Sequence, residues 1–175
     1  MPNKHSQRGF SLIEVLVAVL VVAIGLVGLA GMQLVGLKSN QQSFSKNQAA
    51  HHTQAILERM RGNPVGVFDG NYVINSTSMN CGAAPAVNCT EASSSCSVAE
   101  IAKYDIHQAF CGSTNSSSGG IKRDLSNSKL IITCPVDCAN SVTIDITWQE
   151  QVLGKESAGS NVVPRQLTLN TRIGK

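Results

Sequence analysis

A single carboxylate stands at the start of a long apolar segment. Glu14 is the only charged residue between Arg8 and Lys38, and residues 15–37 carry no charge. An ionisable side chain inside lipid costs about 2.5–3.5 kcal/mol on insertion scales, so such a residue is by default a candidate functional residue. The segment also exceeds the roughly 18 apolar residues that indicate a transmembrane helix. We therefore predict a membrane-spanning helix in which Glu14 has a function.

Six cysteines form a second set of reactive side chains, and all follow the apolar segment: Cys81, Cys89, Cys96, Cys111, Cys134 and Cys138. An even number of cysteines in an oxidising compartment predicts disulfides. The alternative is a zinc site, which usually repeats Cys-x-x-Cys or pairs cysteine with histidine at a set spacing. The sequence has no Cys-x-x-Cys, and His51, His52 and His107 are not spaced with the cysteines. We predict disulfides and no metal site.

The residues before the apolar segment carry a recognisable motif. The stretch Gly9-Phe10-Ser11-Leu12-Ile13-Glu14 resembles the processing and assembly motif of type IV pilins and type II secretion pseudopilins. The resemblance implies that a prepilin peptidase cuts after Gly9 and methylates Phe10, while the apolar helix stays on the protein. It also implies an assembly role for Glu14, the fifth residue of the mature chain.

Two plainer explanations compete with this resemblance. An ordinary secretory signal also starts with basic residues, but its apolar core is only about 7–15 residues long. Its core also avoids a glutamate, whereas Glu14 stands at the start of this one. A plain membrane anchor accounts for the length of the segment but not for Glu14.

One long helix is expected to carry both the apolar segment and a polar continuation. Residues 38–61 contain no proline, and Ile56, Leu57 and Met60 fall on one helical face. Gly62-Asn63-Pro64 is a stop signal, because proline disfavours helix in the residue before it. The predicted helix runs from Phe10 to Arg61. The predicted segments are a leader (1–9), a transmembrane half-helix (10–37), a periplasmic half-helix (38–62) and a globular periplasmic domain (63–175).

The remainder of the chain predicts a small sheet with one short helix. Ser97 and Glu100 form a capping box, which starts a helix that ends near Phe110. Alternating apolar and polar residues indicate antiparallel strands with one buried face. Strands are predicted at 72–74, 129–133, 142–148 and 167–173, and loops at 76–97, 113–120 and 149–164. The predicted fold class is α+β and pilin-like, with a long N-terminal helix packed on a small antiparallel sheet and disulfide-linked loops.

The predicted elements constrain the disulfide pairing. Cys96 and Cys111 flank the short helix, whose ends lie about 18 Å apart, whereas bridged Cα atoms lie within about 7 Å. These two cysteines should therefore not pair. Cys134 and Cys138 bracket a tight turn and are the favoured local bridge. The other four then pair as 81–111 with 89–96, or as 81–96 with 89–111, and both schemes stay open.

Three further stretches resemble one branch of the family, the minor pilins called type IV pilus modification protein PilV. They are Glu58–Pro64 at the end of the long helix, Cys96–Asp105 at the short helix, and the strand Val142–Trp148. The resemblance implies a minor pilin that acts with other minor pilins and the major pilin, on the pilus assembly platform, in priming or assembling the fibre. Twitching motility, adhesion or DNA uptake would depend on it.

Charge and missing motifs narrow the function further. The net charge of +3 comes from 14 basic and 11 acidic residues, and Lys4 and Arg8 of the leader carry two of those positives. The near-neutral charge of the rest of the chain argues against a basic surface stripe that binds nucleic acid. The two leader cations place the N-terminus in the cytoplasm, with one pass through the inner membrane; surface localisation would follow assembly. Nucleophile-elbow, phosphate-loop and zinc-protease motifs are absent from the sequence, so neither an enzyme nor a cofactor is expected.

Two other functions remain open at the level of sequence. The chain could be a minor pseudopilin of a type II secretion system. It could also be a membrane-tethered binding domain whose cysteine-rich loops contact a host surface or DNA.

Overall fold

The computed structural model describes residues 9–83, 85, 88–89, 95–112, 119–152 and 162–174. Leader residues 1–8 lie outside the described residues, as do parts of the predicted loops at 76–97, 113–120 and 149–164. The chain divides into two compact units, Met1–Asn40 and Gln41–Lys175. Helix α1 (Leu12–Gly62) begins in the first unit and ends in the second.

The described part of the first unit is mainly apolar helix with exposed side chains. Every residue from 10 to 37 is exposed, and Phe10 and Leu12 are 82% and 80% exposed. Large apolar side chains are normally buried in a water-soluble protein, and contiguous exposed ones indicate a membrane or protein contact. Among the described residues, α1 is the one helix long and apolar enough to cross a membrane.

The second unit has a core formed by one face of α1 and one face of a sheet. The buried residues of α1 are Ala49, Thr53, Ile56, Leu57 and Met60, which is the face predicted from the sequence. Thr53 is accommodated in this apolar face because its hydroxyl donates to the backbone carbonyl of Ala49 at 2.8 Å. The four apolar residues of this face share one core cluster with the sheet.

The sheet has four antiparallel strands in the order β1-β2-β3-β4. They are β1 (Ile74–Asn75), β2 (Lys129–Thr133), β3 (Val142–Gln151) and β4 (Val162–Thr171). The β2–β3 register pairs Ile132 with Ile144, and the β3–β4 register pairs Ile144 with Leu169. Every second residue of β3 from Val142 to Glu150 is buried. The alternation therefore gives the sheet one apolar face, as predicted, and this face packs on the core.

Short helices complete the second unit. They are α2 (Pro64–Phe68), a 3-10 turn (Ser76–Ser78), α3 (Val98–Cys111) and α4 (Ile121–Asp124). The predicted capping box at α3 is present: Ser97 accepts from the Glu100 backbone N–H while the Glu100 carboxylate accepts from the Ser97 N–H at 2.9 Å. Together with the sheet, the long helix and the disulfides, these elements confirm the predicted α+β, pilin-like fold.

The predicted limits of three strands are wrong, and β4 ends at Thr171 instead of at residue 173. The β3–β4 hairpin is longer than expected, since β3 continues to Gln151 and β4 begins at Val162. Pro164 lies within β4 opposite Gln149, which is tolerated because β4 is an edge strand of the described sheet. The first strand is Ile74–Asn75 and not 72–74, because Tyr72 is buried among polar partners instead of pairing in the sheet.

Candidate membrane-anchoring and assembly site

The motif residues lie at the beginning of α1. The helix starts at Leu12, and the Ser11 carbonyl accepts the Glu14 backbone N–H at 3.0 Å. Glu14 therefore occupies the first helical turn, where a carboxylate interacts favourably with the helix dipole. A Cβ built on Gly9 would meet nothing within 4 Å, so the predicted cleavage point is open on the side where a side chain would stand.

Glu14 has no cationic partner among the described residues. Salt bridges join other pairs in the second unit, and none involves this carboxylate. Its neighbours along α1 are exposed apolar side chains. An unpaired charge is far costlier in lipid than a paired one, so burial of this part of α1 would favour a cationic partner from outside the described residues. The site can therefore perform recognition by ion pairing.

A polar network ties the end of α1 to α3. Arg59 Nη1 lies 3.1 Å from Asp105 Oδ1, and the Tyr72 hydroxyl donates to Asp105 Oδ2 at 2.6 Å. Asn63 Nδ2 donates to the Val98 carbonyl at 2.8 Å and to the Tyr72 hydroxyl at 3.4 Å. Burial, and then the hydrogen bond to Asp105, raise the pKa of Tyr72 well above its usual range, so this side chain stays a neutral phenol that can donate.

The same asparagine starts the next helix. The Asn63 side-chain oxygen accepts from the Gly66 backbone N–H at 3.3 Å, and Pro64 occupies the first turn of α2. A Cβ on Gly66 would come within 2.5 Å of Asn63 Nδ2, so this close approach requires glycine. Met60 is fully buried. The Glu58–Pro64 stretch is therefore a structural joint, in which the exposed Glu58–Arg61 pair at 2.6 Å is the peripheral part.

Three disulfides fasten the loops around α3 and β2. They join Cys81 to Cys111, Cys89 to Cys96, and Cys134 to Cys138, with Cα–Cα distances of 5.3, 6.0 and 4.9 Å. Of the two schemes that the sequence left open, the structure has 81–111 with 89–96. Cys96 and Cys111 belong to separate bridges, one near each end of α3. Within the described ranges, no group of three or more His, Cys, Asp and Glu side chains could hold a metal ion.

Sequence reasoning missed polar contacts at two places in the second unit. Glu150, only 7% exposed, accepts from Trp148 Nε1 at 2.8 Å and from Arg165 Nε at 3.0 Å. The sequence pattern could have predicted the burial of Glu150, since the alternation from Val142 to Trp148 continues to Glu150 two residues later. His52 Nε2 lies 2.8 Å from Asp124 Oδ2 and links α1 to α4; no local pattern predicts a pair separated by 72 residues.

Two family models match consecutive parts of the chain. Residues 4–30 match the prokaryotic N-terminal methylation motif, and residues 31–107 match type IV pilin Tt1218. Both matches support a type IV pilin. The first contains Gly9, Phe10 and Glu14, and the second contains the rest of α1, its terminal joint and most of α3. With the exposed apolar half of α1, they also support membrane anchoring. Comparison with curated proteins and with solved structures gave no significant match.

Proposed function

We propose that this chain is a minor pilin of a type IV pilus, of the PilV kind, that acts with other minor pilins in priming and assembling the fibre. The N-terminal methylation motif and the pilin match support the pilin part of the proposal. The resemblance of Glu58–Pro64, Cys96–Asp105 and Val142–Trp148 to the PilV branch supports the minor-pilin part.

The observation that carries this proposal is the exposed apolar half of α1, with Glu14 in its first turn and no cationic partner for Glu14 among the described residues. Lipid covers the apolar side chains before assembly, and neighbouring helices cover them in a filament. Cleavage after Gly9 would create an amine on Phe10. That amine at the head of a neighbouring subunit's helix is the proposed partner of the Glu14 carboxylate.

This pairing would make Glu14 a sensor of register during insertion. Before assembly Glu14 lies near the cytoplasmic interface, where water lowers the cost of its charge. Movement into the filament raises that cost, and the amine offsets it only when the two helices are in register. We assign no chemical step to this carboxylate.

The membrane topology follows from charge and cysteine chemistry. Lys4 and Arg8 before the apolar segment favour a cytoplasmic N-terminus by the positive-inside rule. Everything after Lys38 then lies outside the inner membrane, where an oxidising compartment maintains disulfides. The proposed segments are a leader (1–9), a transmembrane half-helix (10–37), a periplasmic half-helix (38–62) and a periplasmic domain (63–175). The proposed partners are prepilin peptidase, the assembly platform, other minor pilins and the major pilin.

Deletion and complementation in the organism of origin test this proposal. We expect loss of surface pili and twitching with intact protein secretion, and recovery with the wild-type gene. Lost secretion with normal piliation would replace the proposal with a type II pseudopilin. Normal piliation with lost adhesion would replace it with a tethered binding domain.

A further inference from the structure

Strand β4 forms one edge of the described sheet, with β3 as its one strand neighbour. In an antiparallel pair, residues alternate between two orientations. One residue exchanges backbone hydrogen bonds with the neighbouring strand, and the next points its N–H and C=O the other way. Every second residue of β4 (Val162–Thr171) therefore presents its backbone groups along the open edge. Such an edge is a template for pairing with a strand of another chain.

Two backbone contacts establish which residues of β4 point outward. The Gln149 N–H donates to the Ser126 carbonyl at 2.9 Å, and Ser126 precedes β2, so the backbone groups of Gln149 point away from β4. The Leu130 N–H donates to Ser76 Oγ at 2.8 Å, so Leu130 points away from β3, and its partner Ile146 bonds toward β4. Both contacts give the same alternation along β3. The outward residues of β4 are the partners of Gln149 and of every second residue before it: Pro164, Gln166, Thr168 and Asn170.

The open edge carries few of the features that block strand pairing. Pro164 lacks an N–H but lies near the start of β4, and residues 166–171 include neither a charge nor a proline. Among the described residues, no backbone–backbone hydrogen bond outside the strand ladder involves the outward residues. Leu167 and Leu169 pack against the core but are only partly buried. A further strand would therefore cover apolar surface as well as backbone groups.

The sequence of β4 is complementary to itself in the antiparallel direction. When two copies of β4 are centred on Thr168, this residue lies opposite its own counterpart. Gln166 then lies opposite Asn170, so that each outward residue meets an outward residue and exchanges two backbone hydrogen bonds with it. Leu167 lies opposite Leu169 on the core side, in the closer kind of pair, with Cα atoms about 4.5 Å apart.

The charged groups near β4 do not oppose this register. Arg165 Nε donates to Glu150 of its own chain at 3.0 Å, and it would lie opposite a threonine of the second copy. Arg172 would lie opposite a proline. Asp145 lies on β3, one strand in from the edge, and accepts from the Thr168 hydroxyl of its own chain. No two like charges therefore stand opposite each other, an arrangement that would destabilise the pair.

We propose that β4 of one copy of this chain pairs antiparallel with β4 of a second copy, about a two-fold axis between the two Thr168 residues. The contact is isologous, because each copy contributes the same edge. The axis is perpendicular to the joined sheet, so it reverses the segment of α1 that packs on each sheet. The contact therefore joins chains that approach from opposing directions. It does not depend on the pilus function proposed above.

Residue-resolved amide hydrogen exchange of the full chain in detergent tests the contact, because detergent imposes no common direction on α1. We expect exchange at Gln166, Thr168 and Asn170 to slow by about tenfold as the protein concentration rises. The amides of Leu167 and Leu169 bond to β3 and should exchange slowly at every concentration. Fast exchange of the outward amides at all concentrations would overturn the proposal, as would slow exchange in a sample that sediments as a monomer. Slowing only on addition of another pilin would also overturn it, by assigning the edge a different partner.

Matched substitutions at the centre of the contact separate it from association through α1. Thr168→Pro removes an N–H that the chain's own sheet does not use, just as Pro164 lacks one at another outward position. It should weaken self-association by about tenfold in sedimentation experiments. Thr168→Val is the control, because it keeps the N–H and a similar shape, and it should associate like the wild type. Equal association of the two variants would reject the pairing. Trp148 fluorescence in denaturant checks that both variants fold, and if Thr168→Pro does not, the exchange pattern of the wild type decides alone.

Discussion

We propose separable roles, in processing and in assembly, for two residues near the start of α1. Gly9 has space around it where a side chain would stand, and Glu14 has no cationic partner among the described residues. The first property matters to an enzyme that must reach the backbone, and the second to a neighbouring subunit. Substitutions at the two positions should therefore fail at different steps.

Gly9→Val should block processing. The peptidase must bring catalytic groups close to the backbone, and a branched side chain obstructs that approach where glycine does not. We expect the variant to accumulate in the inner membrane as an uncut and slightly larger species. N-terminal sequencing of the wild-type protein should begin at Phe10. A mature N-terminus near Gly31 would instead identify an ordinary secretory signal.

Glu14→Val should be cut normally and fold normally but be lost from sheared pili. The substitution removes the carboxylate that would pair with the amine on Phe10, and it leaves the second unit unchanged. Glu14→Asp should give intermediate incorporation, because its carboxylate is one methylene shorter. Quantitative immunoblots of purified pili, at equal membrane abundance, make the comparison. Equal incorporation of Glu14→Val and wild type would leave Glu14 as a recognition element for the peptidase or the methylase alone.

At the scale of elements, the end of α1 is held by buried polar contacts more than by its surface ion pair. Arg59, which is 41% exposed, reaches Asp105, whose side chain is 11% exposed, whereas Arg61 and Glu58 are 52% and 67% exposed. Exposed pairs contribute about 0–1 kcal/mol. Removing a partner from a buried charged group costs about 1–3 kcal/mol. Arg59 and Arg61 lie in one helical turn but therefore differ in what they contribute to the free energy of unfolding.

Arg59→Ala should lower the free energy of unfolding by about 1–2 kcal/mol, because it leaves the Asp105 carboxylate with the Tyr72 hydroxyl alone. Arg61→Ala is the matched control and should change it by less than about 0.5 kcal/mol. Fluorescence of Trp148, which is 3% exposed and the only tryptophan, reports unfolding in denaturant. Equal midpoints for the two variants would contradict the assigned role of the joint.

Local patterns predicted most of these elements, and longer-range contacts explain the rest. The limits of β2 and the capping box of α3 agree with the sequence, because both depend on residues within one turn or strand. Helix α2 was missed because Pro64 indicates both the end of one helix and the first turn of another. The Tyr72–Asp105 bond joins residues 33 apart in the sequence, and no periodicity within one segment identifies such a partner.

The disulfide pairing, too, could be predicted from the sequence only where it is local. Spacing alone favoured the 134–138 bridge, because four residues can close only a tight loop. It could not choose between the two schemes for the other four, because that choice depends on where the chain after Cys81 lies relative to α3. At the candidate site, the types of Gly9, Phe10 and Glu14 were available from the sequence, whereas the lack of a cationic partner for Glu14 within the described part of the chain is a structural observation.

At the scale of the whole molecule, the titratable groups of the second unit set the pH range of stability. Hydrogen bonds from Ser97 lower the pKa of Glu100, and those from Asn140 lower the pKa of Asp137. A lowered pKa means that the folded state favours the carboxylate. The stabilisation is present above the pKa values of about 4 that the two groups have in the unfolded chain. It is lost as pH falls through their lower pKa values in the folded state. In a stability profile, the contribution of these two surface carboxylates should therefore be lost below about pH 4.

The alkaline limb should depend on Tyr72. Burial and the Asp105 hydrogen bond raise the pKa of Tyr72, so the folded state favours the neutral phenol. The resulting stabilisation is complete below the pKa of about 10 that Tyr72 has in the unfolded chain, and it is lost as pH rises through the pKa of the folded state.

Tyr72→Phe removes this titration but also removes a donor to Asp105. It should therefore lower the unfolding midpoint at pH 7 and flatten the profile above about pH 10. Tyr104→Phe, at a tyrosine outside the network, is the matched control and should keep the wild-type slope, because its hydroxyl accepts from the partly exposed Gln108 amide at 2.9 Å and not from the joint between α1 and α3. Denaturant midpoints followed by Trp148 fluorescence from neutral pH to strongly alkaline pH compare the three proteins. A wild-type slope in Tyr72→Phe would assign the alkaline limb to groups other than the joint between α1 and α3.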